Sequence, residues 1–137
     1  MRSDVFRAMG TEVVALSDTA DFGSKVRAWF AEAEAIFSRF DPTSELSGLN
    51  DSLEADVVVS APMATCLAMA QELRAWTKGL VDPAIGAALI EWGYDTDLVD
   101  VIDGVDPPEA KAIGAWSVKG RIVSRQPGTR LDLGGIA

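Results

Sequence analysis

The strongest hydrophobic periodicity in the chain runs through DFGSKVRAWFAEAEAIFSRF. Val26, Trp29, Phe30, Ala33, Ile36, Phe37 and Phe40 recur there at helical spacing, while Arg27, Glu32 and Glu34 fall mostly elsewhere. This predicts a helix whose aromatic stripe is core rather than a cofactor-contacting face. A second helix is expected from about residue 62 to 77, with Ser60 as N-cap, Pro62 in its first turn and Gly79 at its end. Met63, Cys66, Leu67, Ala70 and Leu73 form its inner face. Asp82-Pro83 then signals a shorter apolar helix, Ala84 to Trp92, closed by Gly93.

Alternation of period two marks the strands. Residues 4–8 and 11–16 flank Met9-Gly10, and ADVVVS makes a further short strand. AWSV-KG-RIVSR reads as a hairpin turning at Lys119-Gly120. In the closing RLDLGGIA, Leu131 and Leu133 read as a strand, the two glycines as a turn, and Ile136 and Ala137 as the start of a helix. DPTSELSGLN is a loop holding a short turn capped by Ser44 or Thr43; a polar rim around a ligand is the sharper alternative. YDTDLVDVIDGVD lacks the spacing of an EF-hand and reads as a solvated acidic loop, followed by a short helix over 108–113. The fold class these elements imply is α+β, a largely antiparallel sheet with two to three packed helices.

Charge and composition narrow the chemistry. The net charge of −9 makes nucleic acid and anionic lipid poor partners. There is no histidine and a single cysteine, Cys66. Imidazole-based triads, imidazole metal sites and thiolate zinc clusters are therefore excluded, and any metal should be oxygen-bound, with Mg2+ the best candidate. Cys66, on the apolar helix face, reads as a small buried hydrophobe. No stretch approaches the ~20 apolar residues of a membrane span, and no leader is visible, which points to a cytoplasmic protein. Neither GxGxxG nor a Walker A sequence is present.

Four segments in order carry a more specific signal: AMGTEV, FSRFDPTSELSGLN, GLVDPAIGAALIEWG and RLDLGGIA. Together they resemble the ApbE family of flavin transferases (FAD:protein FMN transferases), over residues 5 to 137. Members of that family continue past the glycine turn into a further helix and a second half that carries acidic and hydroxyl ligands for magnesium. The resemblance thus implies that residues 1–137 are the N-terminal part of a single domain, its C-terminal half absent, and inactive alone.

The same resemblance implies a site. Met9 would contact the flavin, and Phe40 would pack against it. Leu80, Val81 and Asp82 would run beside the cofactor, Asp82 through its carboxylate and the others mainly through backbone. Asp132 would be a further contact, and Gly135 would offer its carbonyl to Mg2+. Val81 stands where the family frequently has phenylalanine, which weakens a stacking role there. Ser44, Glu45 and Asn50 would order their loop more than touch FAD. The implied reaction moves FMN from FAD, the substrate, to a Thr or Ser hydroxyl of an acceptor protein, releasing AMP. The general base is not identified. FAD pyrophosphatase activity in the intact parent, or a non-catalytic FAD-binding or partner-binding fragment, are the alternatives.

Overall fold

The computed structural model describes residues 1–94 and 114–137; the acidic loop beyond Tyr94 and the short helix expected over 108–113 lie outside them. Alternation around Met9-Gly10 gives a hairpin. β1 (Arg2–Ala8) and β2 (Thr11–Ser17) pair antiparallel, with Val5 opposite Val14 and Arg7 opposite Glu12. Met9 and Gly10 take φ of 53° and 71°, as a two-residue hairpin turn requires.

α1 (Phe22–Phe37) crosses this hairpin. Phe22, Val26 and Phe30 pack on Phe6, Ala8 and Ala15 as a small separate core, with Phe6 and Phe30 edge to face at 5.7 Å. At the other end of the helix, Ile36 and Phe37 pack against the main core. The expected stripe is narrower than the periodicity predicts: Trp29 is 60% exposed. Being one residue from Phe30, it points about 100° away, and a ribbon of two strands is too narrow to cover it. Phe40 lies beyond the helix, which stops at Phe37 with Ser38 as its C-cap.

The main core is built on α2 (Glu45–Asp51), β3 (Asp56–Val58), α3 (Ala61–Trp76), β4 (Trp116–Lys119) and β5 (Ile122–Arg125), with the short α4 (Gly86–Glu91) following α3. β3, β5 and β4 form a second antiparallel sheet in that order, so the antiparallel pairing falls into two small sheets among the described residues. Val57, Val123 and Val118 line up across it. Fully buried Leu46, Met63, Leu67, Val123, Leu131 and Leu133 fill the centre. Among the described residues four helices accompany the strands, the short α2 adding to the two or three expected, within the α+β class. Lys119 pairs with Ile122, so the hairpin turns on Gly120-Arg121 rather than Lys119-Gly120, putting Gly120 (φ 57°) at the first turn position.

α3 begins as expected, whereas the loop expected around SELSGLN winds into a full helix, α2, on the Ser44 cap. Ser44 Oγ accepts from Ser47 N–H at 3.0 Å, and Ser60 Oγ accepts from Met63 N–H at 3.3 Å. At the end of α3, Gly79 takes φ 86° and its N–H returns to the Arg74 carbonyl at 2.8 Å. α4 starts later than expected. Asp82 caps a turn rather than the helix, its Oδ1 accepting from Ala84 N–H at 3.0 Å, and helical structure begins only at Gly86.

RLDL also departs from expectation. Leu131 and Leu133 are buried as alternation predicts, but among the described residues the segment joins no strand ladder. Its backbone bonds go elsewhere: Gly86 N–H to Arg130 O at 3.1 Å, Asp132 N–H to Pro83 O at 2.8 Å, and Leu131 to the Asn50 amide. A side-chain amide and a loop carbonyl stand in for a neighbouring strand. After the glycines, Ile136 and Ala137 N–H both bond to Leu133 O, closing a turn.

Cys66 is buried on the inner face of α3, and burial pushes its thiol above the ordinary value. Native protein should therefore react with a disulfide reagent at least about tenfold more slowly than urea-unfolded chain at pH 8. Because the unfolded thiol ionises first, stability should be intact below the ordinary thiol range and fall as pH rises from there toward the raised native value. Equal labelling rates in the native and unfolded states would contradict this.

Candidate functional site

The segment between α3 and α4 and the closing glycine turn face each other across a cleft of about 390 Å³. Its walls are Gly79 to Pro83 and Ile85 on one side, and Asp132, Gly135 and Ile136 on the other. The two walls are stitched by the Asp132 N–H to Pro83 O bond. Five of the seven expected site residues, Leu80, Val81, Asp82, Asp132 and Gly135, thus share one cleft. Leu80 is 91% exposed, an apolar side chain turned to solvent at its rim. Val81 N–H is held by Thr77 Oγ1 at 3.0 Å, fixing the backbone at the cleft edge.

Neither carboxylate in the cleft is free. Asp82 Oδ1 accepts from the Trp116 indole N–H at 3.0 Å, and Asp82 Oδ2 faces Arg74 Nε at 3.2 Å. Asp132 Oδ2 accepts from Arg39 Nε at 2.7 Å, and its Oδ1 accepts from Gly134 N–H at 3.0 Å. Two like charges about 4 Å apart repel by about 4 kcal/mol at an effective dielectric near 20. Pairing each carboxylate with a guanidinium lifts much of that penalty for an anionic ligand, despite the chain's net acidity.

The remaining two expected residues lie outside the cleft lining. Phe40 is joined to it through Arg39, whose guanidinium carbon sits 4.5 Å from the Phe40 ring centroid. That face of Phe40 is therefore already covered by a cation. Tyr94 completes the corner, edge to face with Phe40 at 5.7 Å. Met9 is placed apart, at the hairpin tip, 43% exposed, with its N–H on Glu34 Oε1 at 2.6 Å. Among the described residues, the structure does not bring Met9 into the cleft.

SELSGLN orders the scaffold behind the site. Glu45 accepts from both Ser60 N–H and Ser60 Oγ–H at 2.6 Å, tying α2 to the start of α3. Asn50 clamps Leu131 from both sides, Nδ2–H to Leu131 O at 2.9 Å and Leu131 N–H to Oδ1 at 2.8 Å. Arg125 closes the far end of α2 by donating to the carbonyls of Asn50, Ser52 and Thr129, a favourable place for a cation at a helix C-terminus. Burial, with Arg130 nearby, lowers its pKa against the opposing pull of Asp51. In the preceding turn, Thr43 donates hydroxyl and amide to Asp41 and holds its carboxyl below the usual range.

A metal ion does not fit the described residues on their own. No group of three or more acidic, cysteine or histidine side chains converges among them. Both Asp132 oxygens are already engaged, and Gly135, exposed and open where a Cβ would sit, offers only its carbonyl. Among the described residues no helix is long and apolar enough to cross a membrane.

The family model for ApbE matches residues 9–137. The chain belongs to the ApbE family. Two structures of the flavin transferase ApbE from Vibrio cholerae, one of them a mutant, superpose with TM-scores of 0.78 and 0.76 at 20% identity, over 97% of this chain and 48% of theirs. The ApbE protein of Thermotoga maritima superposes at 0.72 and 20% identity, over 98% of this chain and 47% of its own. The flavinyl transferase ApbE of Pseudomonas stutzeri, in its apo form, gives 0.71 at 15%, over 96% and 47%. This ApbE-family chain therefore spans about half the length of the solved structures it matches. A comparison with curated proteins gives no match.

Sequence reasoning missed Arg39 and Arg74 as parts of the site. Arg39 had a visible signal, a lone cation inside the FSRFDPTSEL motif. Arg74 had none, since an arginine in the last turn of a helix is common.

Proposed function

We propose that this chain forms the flavin-facing part of an FAD:protein FMN transferase, within a domain whose remaining half lies outside these residues. The observation that carries the reading is that the Leu80-Val81-Asp82 step and the Asp132-to-Gly135 turn share one cleft in a chain of the ApbE family. The likeness in fold to flavin transferases supports it. The substrate would be FAD, and the partner a protein offering a threonine or serine hydroxyl. That oxygen attacks the FMN-side phosphorus, the bond to AMP breaks, and the hydroxyl proton is lost to a base that the described residues do not identify.

In this reading the chain's residues bind and orient. Backbone at residues 80–82 runs along the cofactor. Asp82 and Asp132 contact it as carboxylates held in fixed rotamers by Arg74, Trp116 and Arg39. Phe40 contributes through the aromatic corner, and Met9 would approach from the hairpin tip. Mg2+ is the proposed cation, which offsets pyrophosphate charge when bound. Gly135 would supply one carbonyl, the other ligands coming from outside these residues.

The purified 137-residue chain should quench FAD fluorescence on titration, with a dissociation constant above about 10 μM because half of the enclosing surface is missing. It should release no AMP from FAD with Mg2+ present. AMP release by the chain alone would overturn the incomplete-site reading, and absence of any FAD binding would remove the flavin reading. A flavin-binding fragment without transfer activity is the second reading, favoured by the lack of a converging acidic cluster among the described residues.

A further inference from the structure

The geometry points to Arg39 as a positioning residue that sets the glycine turn of the cleft through Asp132, an inference that rests on the flavin reading for its function but not for its geometry. Its side chain is only 5% exposed, and that of Asp132 14%. One guanidinium makes three separate kinds of contact. Nε–H goes to Asp132 Oδ2 at 2.7 Å, Nη2–H goes to the Tyr94 carbonyl at 2.6 Å, and the guanidinium sits over the rings of Phe40 at 4.5 Å and Tyr94 at 5.8 Å. With one oxygen of Asp132 so fixed, the other is aimed at Gly134 N–H, 3.0 Å away. That bond shapes the step into Gly135.

The chain of cause runs from residue 39 to a backbone turn more than ninety positions later, with Asp132 as the link. Charge compensation alone would not need this arrangement. A lysine would neutralise Asp132 equally well, but an ammonium is a point donor. It cannot reach Asp132 and the Tyr94 carbonyl together while lying flat over Phe40. The planar fork determines the carboxylate's rotamer as well as its charge.

Arg39→Lys separates these roles, with Arg39→Gln as the stronger disruption and Arg27→Lys, at the exposed pair between α1 and Asp4 of the hairpin, as the control. In Arg39→Lys the melting temperature should stay within about 3 °C of the parent, since the ion pair survives and no buried charge is left unpaired. Amide exchange at Gly134 should nevertheless accelerate about tenfold, while α3 amides keep their protection. The FAD dissociation constant should rise about fivefold or more. Arg39→Gln should raise both further, and Arg27→Lys should change neither.

If Arg39→Lys matches the parent in Gly134 exchange and FAD affinity, Arg39 only balances charge and the proposal is wrong. If FAD affinity falls while Gly134 exchange is unchanged, Arg39 meets the ligand directly, which also overturns it. If neither parent nor variants bind FAD but the exchange pattern is as expected, Arg39 still positions the turn and only the flavin reading is lost.

Discussion

Replacing Asn50 by alanine is expected to lower the free energy of unfolding by about 2–4 kcal/mol, the largest single-residue loss in the scaffold of the site. Asn50 Nδ2 and Oδ1 satisfy both backbone polar groups of Leu131, at 2.9 and 2.8 Å. Leu131 is fully buried, so truncation leaves an N–H and a C=O without partners in the core, each costing about 1–3 kcal/mol. In a domain of this size the melting temperature should drop by roughly 8–15 °C. Asn50→Asp keeps the acceptor and loses the donor, so it should fall between parent and alanine variant near pH 7. Chemical denaturation gives the numbers, and a loss under 1 kcal/mol for Asn50→Ala would mean that the clamp is dispensable.

Gly86→Ala should be nearly as severe, by about 2–3 kcal/mol. A Cβ there would meet the Arg130 carbonyl oxygen at 2.8 Å and its carbon at 3.0 Å. Both are backbone atoms, so no side chain can swing aside. The Gly86 N–H to Arg130 O bond must stretch, and Asp132 N–H to Pro83 O, two residues on, shifts with it. Since those bonds stitch the cleft walls together, FAD affinity should fall along with stability. Gly48→Ala is the natural comparison. Its Cβ would meet nothing within 4 Å, and α2 should gain about 0.5–1 kcal/mol from the exchange. Equal behaviour of the two alanine variants in thermal melts would discount the contact at Gly86.

Much of this architecture is legible in residue order because its causes are local. Ser60 announces its helix through a side-chain cap, Ser44 caps a helix where only a short turn in a loop is expected, Gly79 ends the longer of the two, and alternation on either side of Met9-Gly10 fixes a hairpin. Where expectation and structure part, a long-range partner has intervened. RLDL keeps the alternation of a strand, yet its hydrogen bonds go to Asn50 and Pro83, which no local pattern reveals. Asp82 carries a capping signal, but Trp116 and Arg74 draw its carboxylate into a turn ahead of the helix. Trp29 fits the helical period and still faces solvent, because periodicity cannot state how wide a neighbouring surface will be. The cleft was legible only through the order of four motifs. Of its two guanidinium partners, Arg39 sits inside one of those motifs and reaches Asp132 across the fold, while Arg74 lies near Asp82 in sequence but carries no signal of its own.

α1 belongs to both cores, gripping the hairpin through Val26 and Phe30 and the main body through Ile36 and Phe37. From Val26 to Phe37 such a helix rises about 16 Å. It works as a stiff beam between the turn bearing Met9 and the wall bearing Asp132. Those two places can draw nearer only if the beam tilts as a whole, carrying Arg27, Glu34 and the entire ribbon along with it.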